Sequence, residues 1–175
     1  FKQQRLNMKT PKFWYEPPSW KASMFLPLGL LYNLFSSFRL KFGKPKKFNC
    51  FTICVGNLNI GGTGKTPATI ALAQHFQARE LNVHIVSRGY KGRFRGTFLV
   101  DPKKHKSDQV GDEPLLMSEF TPVWVSKKRK NGIAAAERAG AQIVLLDDGY
   151  QDPSINKDFS FVVVDGKKGF GNKKC

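Results

Sequence analysis

Residues 55–66 read Val-Gly-Asn-Leu-Asn-Ile-Gly-Gly-Thr-Gly-Lys-Thr, between an apolar Phe-Thr-Ile-Cys-Val run and an Ala-rich stretch with helix-forming composition. Residue types in this order suit the binding of phosphate. Gly61, Gly62, Thr63 and Gly64 allow successive backbone N–H groups to turn toward phosphate oxygens. Lys65 adds a reaching cation, and Thr66 offers a hydroxyl to a phosphate-bound Mg²⁺. The general Walker A spacing asks for glycine five residues before Gly64, where this chain has Asn59. A plain strand-to-helix turn has no need of Gly-Lys-Thr at the helix start, so the stretch points to a nucleoside triphosphate.

Two further polar clusters end apolar runs, and a third opens a helix. Ile143–Leu146 leads into Asp147-Asp148-Gly149-Tyr150-Gln151, the arrangement of a Walker B acid, in which Asp147 or Asp148 holds Mg²⁺ directly or through water. Ser87-Arg88-Gly89-Tyr90 sets a cation beside a glycine and suits an anion. Gly111-Asp112-Glu113-Pro114 lies at the mouth of an expected helix, where Asp112 could equally be an N-cap.

The elements that must carry these clusters follow from hydrophobic pattern. Strands are expected at Phe51–Val55, Asn82–Ser87, Gly96–Val100, Val123–Ser126, Ile143–Leu146 and Phe161–Asp165. Helices are expected at Pro67–Leu81, Glu113–Phe120 and Gly132–Ala139, with Ile70, Ala71, Ala73 and Phe76 of the first facing a sheet. Alternation of this kind implies an α/β fold, P-loop NTPase-like, with a mainly parallel sheet and helices on both faces. Ligands of such sheets sit beyond the carboxyl ends of the strands, where the polar clusters fall.

The chain of 175 residues suits one substantial core with an appendage. Its 29 Lys and Arg against 13 Asp and Glu give a net charge of +16, which favours an anionic partner: nucleic acid, phospholipid surface or phosphorylated substrate. Residues 1–47 hold ten of the cations and one acid. Within them Ala22–Phe38 is uncharged, apolar and aromatic, flanked by Lys21 and by Arg39, Lys41, Lys44, Lys46 and Lys47. It is short for a spanning helix and is broken by Pro27 and Gly29, so an interfacial helix on an anionic membrane surface fits better. A secretory signal lacks its small-residue cleavage site here, and a helix packed on the domain is the competing structural reading. Residues 1–47 are thus a membrane-associating segment and residues 48–175 the P-loop unit, with translation expected to start at Met8. No recognition fold for nucleic acid is visible. Lys127–Lys130 reads as a solvated turn. Cys50, Cys54 and Cys175 form no disulfide or zinc pattern, which suits a reducing compartment.

Taken in order, Gly56-Asn57-Leu58, Gly61–Pro67, Ser87-Arg88-Gly89-Tyr90, Gly111-Asp112-Glu113-Pro114, Asp147–Gln151 and Gly169-Phe170-Gly171-Asn172 resemble the tetraacyldisaccharide 4'-kinases of lipid A biosynthesis over nearly all of residues 9–172. The resemblance implies transfer of the ATP γ-phosphate to the 4'-hydroxyl of an acylated glucosamine disaccharide 1-phosphate, at the cytoplasmic face of a Gram-negative inner membrane. It implies that Lys65 contacts the β/γ-phosphates and that Thr66 and Asp147 or Asp148 organise Mg²⁺. Glu113 assists the metal or Asp112, Asp112 is the base, and Arg88 neutralises phosphate. Two departures stand out. Asp152 occupies a position where the family commonly has His, and the sequence stops inside a motif that in the family continues into a second lobe bearing a histidine. The resemblance therefore implies a truncated N-terminal lobe, with an inactive nucleotide-binding fragment or a soluble P-loop ATPase or switch as alternatives.

Overall fold

The computed structural model describes residues 34, 45–57 and 64–166. The expected interfacial helix at 22–38, apart from Leu34, lies outside the described residues, as do Gly61, Gly62, Thr63 and the Gly169–Asn172 motif. Among the described residues no helix is long and apolar enough to cross a membrane.

Six strands form one sheet: β1 (Phe51–Asn57), β2 (Val83–Ser87), β3 (Thr97–Leu99), β4 (Val123–Ser126), β5 (Ile143–Asp147) and β6 (Phe159–Val163). Their order across the sheet is β3-β4-β2-β5-β1-β6. All neighbours pair in parallel except β3, which runs antiparallel to β4 at one edge. The central strands β2 and β5 are buried at every position, so both faces must be covered, and their nearly continuous apolar sequence reflects that.

The helices are α1 (Lys65–Gln77), α2 (Ser107–Val110), α3 (Asp112–Met117) and α4 (Arg129–Arg138). Alternate strand residues feed two separate cores. Ile53, Val83, Ile85, Ile143 and Leu145 pack with Ala73 of α1, Val110 of α2 and Met117 of α3. Cys54, Val86, Val144 and Leu146 pack with Ile133 and Ala136 of α4 on the opposite face. Gly132 lets α4 come close, since a Cβ there would lie 2.6 Å from Val86 Cγ1. The expected α/β architecture with helices on both faces is therefore present.

Several expectations shift. Ala71 is exposed on α1 while Thr69 is fully buried, because the inward stripe runs 69, 73, 76 at helical spacing and leaves 71 on the far side. The buried Thr69 hydroxyl donates to the Lys65 carbonyl at 2.9 Å. The helix expected at Glu113–Phe120 starts at Asp112 and ends at Met117; before it, Gly111 at φ 98° breaks the chain from α2. No helix separates β2 from β3, which is why β3 returns antiparallel rather than by a crossover. β6 begins two residues before its expected start and leaves Phe159 52 % and Phe161 41 % exposed on an edge.

Candidate active site

The site grows from the carboxyl ends of β1, β2 and β5, which the sheet order sets side by side. Pairing of β1 with β5 puts Val55 level with Asp147, so the phosphate-loop strand delivers its chain beside the acids. α1 opens from Gly64 at φ 83°, a left-handed turn that glycine adopts without strain. Pro67 in the first turn removes an N–H that a helix start leaves unsatisfied. Lys65 Nζ donates to Asn57 Oδ1 at 3.0 Å and stands 3.6 Å from Asp148 Oδ1. Cation, amide and acid thus meet above the helix N-terminus, whose dipole also favours anions.

The two adjacent acids have different fates. Asp147 is buried, and its Oδ2 accepts a hydrogen bond from Ser87 Oγ at 3.1 Å across β2 and β5. Its Oδ1 is buried without a protein hydrogen-bond partner. Burial is the main cause that pushes its pKa up to about 6. The negative charges of Glu113 and Asp148 add to this rise, and Ser87 and Lys65 oppose it. Asp148 sits at φ 58°, donates its backbone N–H to the Val55 carbonyl at 3.0 Å, and turns its carboxylate outward to Lys65.

Arg129 corrects the reading of Lys127–Lys130 as a solvated turn. Lys127 and Lys128 are exposed, but Arg129 is 6 % exposed and reaches under the β5 turn. Its Nη2 donates to the Asp148 carbonyl and, at 3.5 Å, to that of Asp147; Nη1 lies 3.8 Å from Asp152 Oδ2. Burial lowers its pKa, yet a guanidinium starts so high that it stays charged. Its position on the buried 129/133/136 stripe of α4 is the signal that sequence reasoning missed, because the helix was expected to begin at Gly132. Asp152 also accepts from Ser154 N–H and Oγ at 3.1 and 2.6 Å, so it braces a turn.

The Ser87–Tyr90 and Gly111–Pro114 loops pack on each other. A Cβ on Gly89, at φ 64°, would lie 2.5 Å from Val125 Cγ1, and one on Gly111 would lie 2.6 Å from the Tyr90 carbonyl. Gly111, not Asp112, is the N-cap of α3; Asp112 and Glu113 occupy its first turn and are exposed. Arg88 and Tyr90 are exposed at the same rim, and Arg88 is near enough to depress the Arg129 pKa. The structure therefore brings together Lys65, Asp147, Asp148 and Glu113, with Thr66 next to Lys65. Arg88 lies on the adjoining loop and Asp112 in the first turn of α3.

Among the described residues no group of three His, Cys, Asp or Glu forms a ready metal cage. A Mg²⁺ ion needs only one or two carboxylates together with substrate phosphates. Asp147 Oδ1, aimed at no protein donor, fits such a role. The three histidines are engaged elsewhere: His84 accepts from Trp124 Nε1 at 3.1 Å, His105 from the Asp101 N–H at 2.8 Å, and His75 packs edge-on against Phe76. Cys50 and Cys54 are buried free thiols, whose pKa burial pushes up.

Comparison with known families adds a decisive observation: the model of the LpxK family, tetraacyldisaccharide-1-P 4'-kinase, matches residues 21–175. The chain belongs to this family. Among curated LpxK relatives it is 49 % identical over 168 residues to the tetraacyldisaccharide 4'-kinase of Dinoroseobacter shibae, covering 94 % of this chain and 50 % of that protein. The corresponding enzyme of a Jannaschia species is 47 % identical, again over 94 % of this chain and 50 % of the relative. A crystal structure of the "apo" form of LpxK from Aquifex aeolicus in complex with ATP superposes with a TM-score of 0.69 at 34 % identity, covering 81 % of this chain and 48 % of that one. The chain spans about half the length of the LpxK relatives it matches.

Proposed function

We propose that the protein acts as an ATP-dependent kinase that transfers the γ-phosphate to the 4'-hydroxyl of tetraacyldisaccharide 1-phosphate. The observation that carries the reading is the meeting of Lys65 with the acids at the ends of adjacent strands: Lys65 Nζ lies 3.6 Å from Asp148, beside the buried Asp147. A family relative in complex with ATP supports the choice of nucleotide. Lys65 would neutralise the β/γ-phosphates, leaving Asn57 as its steric guide. Asp147 and Asp148, with Thr66 and Glu113, are the residues that would hold Mg²⁺, which when bound neutralises charge between the phosphates. Asp112 accepts the proton of the 4'-hydroxyl as that oxygen bonds to the γ-phosphorus; the bond to the β–γ bridging oxygen breaks and ADP leaves. Arg88 at the rim offsets phosphate charge. The work is mostly positioning and charge neutralisation, which the rigid strand ends provide.

An acylated acceptor is met at a bilayer, so we place the enzyme at the cytoplasmic face of the inner membrane of a Gram-negative bacterium. The basic, apolar sequence of residues 1–47 supports this reading. The test is label transfer from γ-labelled ATP to detergent-dispersed acceptor lipid. Asp112→Ala is expected to lower turnover by roughly 10²–10⁴-fold, the range for loss of one acid–base group, and Lys65→Ala by roughly 10²–10³-fold, the range for loss of one group that stabilises transition-state charge. Tight ATP binding without any transfer by the parent chain would reject the kinase reading in favour of a binding fragment.

A further inference from the structure

One strongly charged surface lies outside the site. Residues 91–108 carry six Lys or Arg against two acids. Arg93, Arg95, Lys103, Lys104 and Lys106 are exposed, and of these five only Lys104 is ion-paired to another described residue, Asp101 at 3.4 Å. The cations stand around an aromatic centre. Phe94, 38 % exposed, packs edge-on against Phe98 and His105 at centroid distances of 5.2 and 5.5 Å, which joins the 93–95 and 103–106 segments into one lobe.

This lobe is fixed to the site. The backbone N–H groups of Arg93 and Phe94 donate to the carbonyls of Asp108 and Gln109 at 3.1 and 3.0 Å. A Cβ on Gly92 would lie 2.6 Å from the Gln109 carbonyl, so the two segments are in contact at backbone level. Gln109 is three residues from Asp112. Whatever the lobe rests on is therefore held at a set orientation to the Asp112 rim.

A solvated charged face mixes signs, whereas this one is nearly all positive and has a partly exposed ring among its cations. Cations with aliphatic stems around an aromatic ring suit a layer of anionic headgroups, where stems and ring reach the interface and the charges meet phosphate. A single-stranded nucleic acid would need ring faces open for stacking, and Phe94 is engaged by two neighbouring rings.

We propose that the 91–106 lobe is a membrane-contact surface, separate from residues 22–38, that seats on anionic phospholipid and turns the Asp112 rim toward the bilayer. The inference rests on the lipid-acceptor reading above. It is tested with the full chain carrying Arg93→Gln, Arg95→Gln and Lys106→Gln together, by co-sedimentation with phosphatidylethanolamine–phosphatidylglycerol vesicles and with phosphatidylcholine vesicles. Partitioning onto the anionic vesicles is expected to fall by about a hundredfold in the variant, at roughly tenfold or less per cation. Restoring the charges as Lys at all three positions is expected to restore binding. Equal partitioning of parent and variant overturns the proposal, as does equal binding of the parent to both vesicle types. A loss of oligonucleotide binding in the variant with vesicle binding intact also overturns it, in favour of nucleic acid. Turnover on detergent-dispersed acceptor, expected to be unchanged in the variant, keeps failure of this surface distinguishable from failure of the kinase reading.

Discussion

At the scale of single residues, Asp147 and Asp148 show how one backbone turn divides identical side chains between two tasks. The left-handed Asp148 aims its carboxylate at Lys65, while Asp147 stays under the sheet edge with Ser87. Burial pushes the folded pKa of Asp147 up to about 6 from the usual 3.8, so the folded chain holds an extra proton between these values. Stability from this group is therefore fully present at low pH and is lost as pH rises through about 6, by at most ~3 kcal/mol. Urea unfolding of parent and Asp147→Asn across that window checks it: the difference between them should change with pH in that direction and flatten above about 7. Lys65→Ala should behave differently. Its partner Asp148 is 60 % exposed, so unfolding free energy should move by no more than about 0.5 kcal/mol, while ATP affinity, read by calorimetry, falls at least about tenfold. Sequence alone named both acids but could not divide them, because φ at Asp148 is set by the turn and by Val55, far away in the chain.

At the scale of elements, the loops that carry the acids are held by small residues and by one buried cation. Gly89→Ala forces a left-handed alanine and a contact of 2.5 Å with Val125, so it should destabilise by about 1–3 kcal/mol; Gly166→Ala, with nothing within 4 Å, should cost little. Thermal denaturation of the two variants side by side tests the assignment. Arg129→Met removes the donor to the Asp148 carbonyl and leaves Asp152 without its buried partner, which should cost about 2–4 kcal/mol. Hydrogen exchange should then quicken at residues 148–152 before it does in β2. The strands were readable because β2 and β5 are mostly apolar, and their helices followed from periodicity. Arg129 was not, since its inward direction depends on a helix phase that begins three residues before the expected start. The direction of β3 escaped for a related reason: pairing with β4 is a choice of partner, and a three-residue strand carries little pattern of its own.

At the scale of the whole molecule, the sheet has unequal edges. β3 at one side is short, whereas β6 presents Phe159, Phe161 and Val162, each at least 40 % exposed. Among the described residues no strand lies outside β6, and an apolar edge of this kind invites pairing between copies, so self-association with rising concentration is expected. Sedimentation velocity should show this association weakened by Phe159→Lys with Val162→Lys. The order β3-β4-β2-β5-β1-β6 has a second consequence, which concerns time. Among the described strands β1 is the first to be synthesised, yet both its neighbours, β5 and β6, are the last two of the six. At roughly 5–20 residues per second the ribosome leaves β1 waiting for about 5–20 s before either partner exists. During that interval Ile53, Cys54 and Val55 have no sheet to enter, and the phosphate loop hangs from an unpaired strand. The newborn chain thus depends on whatever shelters that apolar segment, and it can acquire a nucleotide only once β5 and its acids have followed β1 by some ninety residues.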